Sequence, residues 1–465
     1  MSNTPESQDE PSTAPPVSPR KGFLARLGLD RPELRAWAMY DFGNSAFMTV
    51  IITAIFPIYY SKVASAGIPN ETAEFRFSMV TTVAMIVIAI LAPVLGALAD
   101  FSAIKKRMIA IFLSMSVVAV AMMFFIHQGN WILALVLFAI ANFGANGSFV
   151  FYDALLPHLA KEEEMDRVST AGYALGYIGG GLLLAVNLLW IMQPGWFGLP
   201  SGEGLTSSQT TLPTRLALLS VAVWWVVFSI PLFRRVPEPP VRRESDESRD
   251  QSPIKAAFTR LGETFHELKK FRNAFLMLLA FLIYNDGIGT IIRMATLYGA
   301  GIGLKENDMI AAVLLTQFVG VPFAFAFGAL AGWIGAKRSI FLALIVYTGI
   351  SVIGYYMKTA THFLILAILV GMVQGGAQAL SRSLFASLIP RHKAGEFFGF
   401  FAVVEKFAGI LGPLLFALVV KSSGSSRGAI LSIIAFFVVG GILLMFVNVP
   451  EGQRLARAAE KDATQ

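Results

Sequence analysis

The chain has 465 residues, of which 55% are apolar and 14% charged, and its mean hydropathy is +0.64. An ordinary soluble domain has about a quarter charged residues, so this composition excludes that class and predicts an all-α polytopic membrane protein. There is no cysteine, which excludes a disulfide framework, a thiolate metal site and a cysteine nucleophile. The net charge of +7 does not indicate nucleic-acid binding, because the cations lie in short loops between apolar runs.

The apolar runs predict twelve membrane-spanning helices. Residues 1–35 are a predicted amino-terminal tail, rich in Pro and Ser at its start and without the apolar core of a signal peptide. Basic residues concentrate in the loops that share a side with this tail, so both termini, including the tail at 449–465, are expected in the cytoplasm. Because about 18 apolar residues suffice to cross a bilayer, the spans are placed at about 36–60, 77–99, 108–127, 131–155, 168–192, 214–233, 272–297, 308–333, 338–357, 362–388, 396–420 and 428–448.

The longest interior loop, residues 234–271, separates two six-helix bundles at 36–233 and 272–448. Its first part, VPEPPVRRESDESRDQSP, is typical of a polar linker. Its second part, IKAAFTRLGETFHELKKF, places apolar residues on one stripe and basic residues elsewhere, which predicts a helix lying on anionic head groups. A site for a regulatory partner is the alternative interpretation.

The two bundles carry repeated motifs in the same register. Gly96-Ala97-Leu98-Ala99-Asp100 ends the second span, and Gly328-Ala329-Leu330-Ala331-Gly332 ends the eighth; basic residues follow both. Leu155-Leu156-Pro157 and Leu388-Ile389-Pro390 close the fourth and tenth spans. The members of each pair of motifs are separated by nearly the same number of residues, which a duplicated six-helix unit explains. Parallel repeats of this kind face each other around a site near the middle of the membrane.

These features resemble the major facilitator superfamily, whose loop between spans two and three has a Gly, an Asp four residues later and a basic cluster. Phe101 and Ala103 depart from the usual basic residue and glycine, and Gly332 replaces the acid in the second half. The stretches WAMYDFGNSAFMTVIITAIFPIYY, FYDALLPHLA, and QALSRSLFASLIP followed by EFFGFF are similar to the family of the fungal vacuolar amino-acid effluxer and its bacterial permeases. The resemblance implies a location in the bacterial inner membrane.

In that superfamily helices 1, 4, 7 and 10 line the central cavity, and here each of them has polar residues at helical spacing. Polar groups are costly in contact with lipid, so these faces are expected to meet water or one another. The predicted cavity or substrate-binding residues are Tyr40, Asp41, Asn44, Asn142, Asn146, Arg293, Gln374, Gln378 and Arg382.

Each candidate has a structural alternative. Asp41 lies close to the membrane edge and is either a cavity residue or a lock that pairs with a cation. Asn142 and Asn146 are either ligands or bonds between helices. The remaining candidates are Asp286 for proton coupling, with pairing to Arg382 or Lys406 as its alternative, and Asp100, Asp153, Glu405 and Lys406 as gating or structural residues.

The pattern as a whole predicts a secondary transporter rather than an enzyme. No Walker motif, HExxH zinc motif or nucleophile elbow is present, and no metal or cofactor is expected. The resemblance favours a permease or effluxer of amino acids, which would work as a monomer by alternating access and could use a coupling proton. A cavity with a carboxylate and a guanidinium suits a zwitterion. The alternatives are a sugar or glycan-fragment porter and, in another class, a lipid-handling membrane protein.

Overall fold

The computed structural model describes residues 22–240, 270–301, 306–407, 411–423 and 426–462. All regular secondary structure in these ranges is helical, which confirms the predicted all-α class. The proposed interfacial helix, at 254–268, lies outside the described residues. We refer to residues 22–240 as the first half and to the described residues from 270 onward as the second half.

Short helical turns lie before or between the long helices, at Phe23–Arg26, Met123–Phe125, Pro194–Phe197, Ser207–Thr210 and Arg391–Lys393. They are α1 (Pro32–Ala64), α2 (Asn70–Ser102), α3 (Lys105–Met122), α4 (Trp131–Leu159), α5 (Met165–Met192), α6 (Leu212–Arg235), α7 (Arg272–Gly301), α8 (Glu306–Ile334), α9 (Ala336–Tyr355), α10 (Ala360–Ser387), α11 (Ala394–Phe407), α12 (Leu411–Ser423), α13 (Gly428–Met445) and α14 (Val449–Asp462).

Within the described residues, 11 of these helices are long and apolar enough to cross a membrane. The twelfth predicted span, at about 396–420, falls on α11 and α12, which are separated by residues 408–410 outside the description. The arrangement agrees with the predicted twelve-helix fold of two six-helix halves. The final helix, α14, is amphipathic and follows the last span.

Helix α1 is irregular in the part of the membrane beyond Asn44. Wider π-helical stretches, Phe47–Ala54 and Tyr60–Ala64, interrupt its α-helical hydrogen bonding. The first stretch contains the β-branched run TVIIT, and side chains of this kind crowd the preceding turn of an α-helix. Pro57 follows and has no N–H to donate. Wide turns of this type often occur where a helix borders a functional site.

Glycines let α1 and α5 approach closely. A Cβ atom at Gly176 would lie 2.5 Å from Ser45 Oγ, and one at Gly180 would lie 3.0 Å from the Ser45 carbonyl oxygen. The spacing of Gly172, Gly176 and Gly180 therefore serves helix packing. Because α5 also contacts α8 and α10, this packing brings α1 next to the second half.

A pair of lysines demonstrates the duplication at the level of single contacts. Lys106 Nζ, at the start of α3, donates to the carbonyl oxygens of Phe233 (3.0 Å) and Val236 (2.6 Å) at the end of α6. Lys337 Nζ, at the start of α9, donates to those of Met445 and Val447, both at 2.9 Å, at the end of α13. In each half a cation thus satisfies the free carbonyl groups at the end of the last span.

The described ends of the chain lie on one side of the bundle, which we call the terminal face. Arg31 donates to the Leu159 carbonyl at 2.9 Å and pairs with Glu164, so the start of α1 holds the loop between α4 and α5. Arg457 of α14 reaches the same loop and pairs with Glu162 at 3.1 Å. The first and last described segments therefore meet across the boundary between the halves.

Candidate functional site

A buried charged cluster joins the halves near the terminal face. Arg382 of α10 donates through Nη1 to Asp153 Oδ1 of α4 at 2.9 Å, and both its Nη atoms lie 3.5 Å from Asp41 Oδ2 of α1. Its Nε donates to Ser169 Oγ of α5 and its Nη2 to the Ser169 carbonyl, both at 3.0 Å. One cation of the second half thus binds three helices of the first half.

Aromatic rings surround the same guanidinium group. The Arg382 Cζ atom lies 4.7 Å from the ring centroid of Tyr173, 4.9 Å from that of Trp37 and 5.8 Å from that of Tyr152. Trp37 stacks on Tyr152 with ring centroids 4.6 Å apart and donates its Nε1 hydrogen to the Tyr152 carbonyl. Aromatic faces attract a cation that has left water, so these rings add to the attraction of the carboxylates.

The two carboxylates are more accessible than the arginine they bind. The side chain of Arg382 is 4% exposed, whereas those of Asp41 and Asp153 are 13% and 17% exposed. Glu405 of α11 also acts electrostatically on Asp153. Two carboxylates share one guanidinium, an arrangement in which either carboxylate can bind a second cationic group while the other still pairs with Arg382.

Further contacts between the halves lie around this cluster, on α5. Ser169 Oγ donates to the Ala379 carbonyl at 2.7 Å, and Ser383 Oγ donates to Asp166 Oδ1 at 2.5 Å. Gly328 of α8 lies directly against Thr170. These bonds run along the terminal-face ends of α5, α8 and α10, so the halves are closed against each other at this end.

Asp100 forms a second junction between the halves, at the end of α2. It pairs with Lys105, and its Oδ2 accepts the Glu396 N–H at 3.0 Å, at the start of α11. The backbones of Gly96 and Gly395 meet so closely that neither position has room for a side chain. The carboxylate faces the positive end of the α11 dipole, a favourable position for an anion. Its predicted gating or structural role remains a prediction.

Three predicted polar residues lie beside the cluster or further along the same helices. Asn44 Nδ2 donates to Asp41 Oδ1 at 3.2 Å. Gln378 and Gln374 are half-buried on α10, one and two turns from Arg382 in the direction away from the terminal face. Their positions fit polar groups that line a passage between the halves.

The structure does not bring three other predicted cavity residues into the cluster. Tyr40 is fully buried in the first half, donates its hydroxyl hydrogen to Ser148 Oγ at 2.8 Å and stacks on Tyr152. Asn142 and Asn146 are buried on α4 and bond to each other, with Asn146 Nδ2 2.7 Å from Asn142 Oδ1. The Asn142 Nδ2 atom has no hydrogen-bond partner within the described part of the chain.

Asp286 lies apart from the Arg382 cluster. It is completely buried on α7, and its Oδ2 accepts the Gly412 N–H of α12 at 2.9 Å. Arg382, one of its two predicted pairing partners, binds Asp41 and Asp153. The side chain of Lys406, the other partner, is outside the described residues, as is that of Arg293, so their predicted roles remain predictions.

The sequence interpretation missed most of the groups that hold Arg382. Ser169 and Tyr173 lie on α5, a helix that the sequence pattern does not assign to the passage. The sequence does carry a signal for the aromatic residues, because Trp37 lies one helical turn before Asp41 and Tyr152 directly precedes Asp153. Among the described residues, no group of three His, Cys, Asp or Glu side chains could hold a metal ion.

The described residues contain 11 helices that could span a membrane, and a buried ion-pair cluster joins the two halves; together with the similarity to an MFS-type transporter, this defines a transporter of the major facilitator superfamily. Residues 72–457 match the family model described as vacuole effluxer Atg22 like, so the chain belongs to the Atg22-like family. It is accordingly an integral multi-pass membrane transporter and not an enzyme.

Two relatives and one solved structure illustrate the similarity. The uncharacterized MFS-type transporter YxiO of Bacillus subtilis (strain 168) is 35% identical over 413 residues, which are 89% of this chain and 94% of YxiO. Autophagy-related protein 22 of Yarrowia lipolytica is 26% identical over 63% of this chain, and the match spans about half of that protein, 52%.

The structure of the proton:xylose symporter XylE superposes with a TM-score of 0.65 over 94% of this chain and 99% of that chain, at 11% identity. Similarity at this level of identity concerns the fold alone. It supports the helical architecture of a major facilitator protein and carries no information about the solute.

Proposed function

We propose that this protein transports amino acids by alternating access and that Arg382, Asp41 and Asp153 form its gate at the terminal face. The observation that carries the proposal is the position of Arg382, whose guanidinium extends from the second half and makes its described hydrogen bonds and ring contacts with the first half. Opening the terminal face must separate these groups, so each transport cycle must break and remake this set of bonds.

A zwitterion has the chemistry to exchange partners with this gate. Its carboxylate can bind the guanidinium bidentately, and its ammonium group can bind Asp41 or Asp153 in place of Arg382. The exchange keeps every charge paired while the direct bond between the halves is lost. Membership of the Atg22-like family supports amino acids as the solute class.

The orientation of the gate follows from the distribution of basic residues. With the positive-inside rule, the terminal face and both termini lie in the cytoplasm, and for a bacterial protein the membrane is the inner membrane. The structure would then be closed toward the cytoplasm, in an outward-facing conformation. The bundle contains both halves of the duplicated unit, so we propose that it works as a monomer.

Asp286 is the candidate for proton coupling in this scheme. Its carboxylate is buried in the middle of α7 and accepts a backbone N–H from α12, away from the gate. Its protonation would weaken the contact with Gly412 and alter the packing of α7 against α12.

A sugar or glycan-fragment porter is the second candidate. Amides are common ligands for hydroxyl groups, and Gln374 and Gln378 present half-buried amides beyond the gate. The Asn142 Nδ2 donor without a described partner would also suit such a solute. XylE, which has the same fold, is described as a proton:xylose symporter.

Uptake by proteoliposomes separates these candidates. The purified full chain would be assayed with labelled amino acids, sugars and short peptides, with and without a pH gradient. The proposal expects accumulation of an amino acid. Accumulation of sugars alone would favour the second candidate. Accumulation that does not depend on the pH gradient would contradict coupling to a proton.

The gate assignment predicts the effect of replacing Arg382 by lysine. An ammonium group keeps the charge but cannot bind Asp153, Asp41 and Ser169 in one plane, so Arg382→Lys should lose about 90% or more of transport while the protein still folds. Arg215→Lys is a matched control, because Arg215 is equally buried in the first half but contacts Ser208 and Phe124. Transport by Arg382→Lys at the wild-type rate would contradict the assignment.

A further inference from the structure

The guanidinium group of Arg382 lies in a pocket of the first half that we call the guanidinium pocket. Asp153 Oδ1 accepts from Nη1 at 2.9 Å, and the carbonyl oxygen and Oγ of Ser169 accept from Nη2 and Nε, both at 3.0 Å. The ring centroids of Trp37 and Tyr173 lie 4.9 and 4.7 Å from Cζ. Acceptors for all three nitrogen atoms and aromatic rings beside them are the groups that recognise a guanidinium.

The guanidinium pocket is held together by contacts within the first half. Trp37 Nε1 donates to the Tyr152 carbonyl at 3.1 Å, and the two rings stack with their planes 10° apart. Tyr40 stacks on Tyr152 with ring centroids 4.8 Å apart, and Asn44 Nδ2 donates to Asp41 Oδ1 at 3.2 Å. None of these contacts includes a residue of the second half. The pocket therefore keeps its shape when Arg382 leaves it.

Gly172 of α5 gives the pocket its room. A Cβ atom at this position would lie 2.6 Å from Asp41 Oδ2, 3.0 Å from a ring carbon of Trp37 and 3.2 Å from Arg382 Nη2. Any larger residue here would push the carboxylate or the guanidinium away. The position thus serves the pocket as well as the packing of α5 on α1.

The described charges around the pocket are more negative than positive. Asp41 Oδ2 lies 3.5 Å from both Nη atoms of Arg382, and Asp153 binds Nη1, so one cation lies between two carboxylates. Glu405 of α11 adds a negative charge that acts on Asp153 and Tyr173. An amino acid with a neutral side chain carries equal positive and negative charge and leaves this excess as it is. One with a cationic side chain reduces it.

Opening of the terminal face would take Arg382 out of the pocket. The acceptors on Asp153 and Ser169 and the rings of Trp37 and Tyr173 would then have no cation. Carboxylates that are mostly removed from water are costly without a counter-charge. A second guanidinium satisfies the same acceptors in the same plane, whereas an ammonium group offers three donors that are not coplanar.

We propose that the transported solute is a basic amino acid, with arginine preferred to lysine, whose side chain binds in the guanidinium pocket when Arg382 leaves it. The inference rests on the proposed function, because it concerns the same gate. The solute guanidinium binds Asp153 and Ser169. Its α-ammonium binds Asp41, whose longer distance to Arg382 leaves more room. The displaced Arg382 binds the α-carboxylate.

The solute and Arg382 consequently compete for one pocket. While the solute side chain is bound there, Arg382 cannot return to Asp153, and the terminal face stays open. When the face closes, Arg382 takes the pocket again and displaces the solute side chain. A cationic side chain is thus both what the gate recognises and what its closure releases.

The test compares solutes on the purified full chain in proteoliposomes. Exchange of labelled L-arginine, L-lysine and L-leucine is measured with the same unlabelled amino acid at equal concentration on both sides. Arginine should exchange fastest and lysine more slowly. Leucine should exchange at least about tenfold more slowly than arginine, because it lacks the charge-assisted hydrogen bonds to Asp153.

Asp153→Asn tests the pocket itself. It removes one charge at nearly constant size, so the ratio of arginine to leucine exchange should fall by about tenfold or more. Asp166→Asn is the matched control, because Asp166 is a half-buried carboxylate of α5 that accepts from Ser383 at 2.5 Å. This control should keep the wild-type ratio. Size-exclusion chromatography checks that both variants fold, and the comparison of solutes on the wild type needs no variant.

The outcomes separate this inference from the proposed function. Leucine exchange as fast as arginine exchange by the wild type would overturn the inference and leave amino-acid transport in place. An unchanged ratio in folded Asp153→Asn would overturn the assignment of the side chain to this pocket. Exchange of sugars without exchange of any amino acid would overturn the proposed function and the inference together.

Discussion

The two equivalent loops at the terminal face, α2 to α3 and α8 to α9, have the same backbone plan but different chemistry. In the first, Asp100 pairs with Lys105 and accepts an N–H at the start of α11. In the second, Gly332 stands in place of the acid, and a Cβ atom there would lie 3.2 Å from Arg167 Nη2 at the start of α5. A buried ion pair between Lys105 and Asp100 holds the first junction together. At the second junction Arg167 lies beside Gly332, where the first has an acid.

The turns in the two loops differ in a similar way. The second loop passes through Gly335 at φ +88°, a conformation that glycine adopts without strain. The first passes through Ala103 at φ +48°, which an L-residue adopts only at a cost, so the contacts around Asp100 must compensate for it. The two loops therefore share their shape, and the first makes more of the interactions that hold the halves together.

The largest expected effect is that of removing the charge at the first junction. The side chains of Asp100 and Lys105 are 0% and 4% exposed, so Asp100→Asn leaves a buried ammonium group without its counter-charge. Breaking a buried pair in this way destabilises a protein by about 3 kcal/mol or more. Thermal unfolding in detergent measures it, with Gly332→Ala at the second junction as the comparison.

If Asp100→Asn and Gly332→Ala shift the unfolding midpoint by the same small amount, the two loops do not differ in the way that their contacts indicate. The asparagine keeps a side-chain oxygen for the Glu396 N–H, so the experiment isolates the charge from the hydrogen bond.

A smaller effect, in the opposite direction, is expected from restoring the acid to the second loop. Gly332→Asp places a carboxylate beside Arg167 and near the positive end of α5, which should stabilise the closed terminal face by about 1 kcal/mol. The melting temperature should rise and solute exchange should slow. Gly332→Asn has nearly the same size without the charge, and identical behaviour of the two variants would refute the explanation.

The sequence alone predicted the spans and the faces that carry charge, because each depends on spacing within one helix. It predicted the duplication because the same motifs recur in both halves. Asp41, Asp153 and Arg382 were identified in this way and do meet. The contact itself could not be predicted, since it depends on how α1, α4, α5 and α10 pack across the two halves.

Tyr40 shows why the contacts of a single side chain are hard to predict from the sequence. It is adjacent to Asp41 in sequence, but neighbouring residues point about 100° apart on a helix. The hydroxyl group of Tyr40 therefore bonds to Ser148 inside the first half, while the carboxylate of Asp41 faces the second half. Asp286 is a similar case, because its partner is a backbone N–H of α12 that no side-chain pattern reveals.

The central claim is that the halves separate at the terminal face during transport, and a disulfide across that face tests it most directly. A Cβ atom at Gly328 would lie 3.2 Å from Thr170 Cβ, slightly less than the separation of about 3.5–4.5 Å in a disulfide, so a small shift of the helices allows the bond, and the chain has no native cysteine. The variant Thr170→Cys with Gly328→Cys would be reconstituted, and amino-acid exchange would be measured before and after oxidation.

The account predicts that oxidation abolishes exchange, that a reducing agent restores it, and that Thr170→Cys alone is insensitive to both treatments. Undiminished exchange by protein that is fully cross-linked would contradict the claim that this face opens.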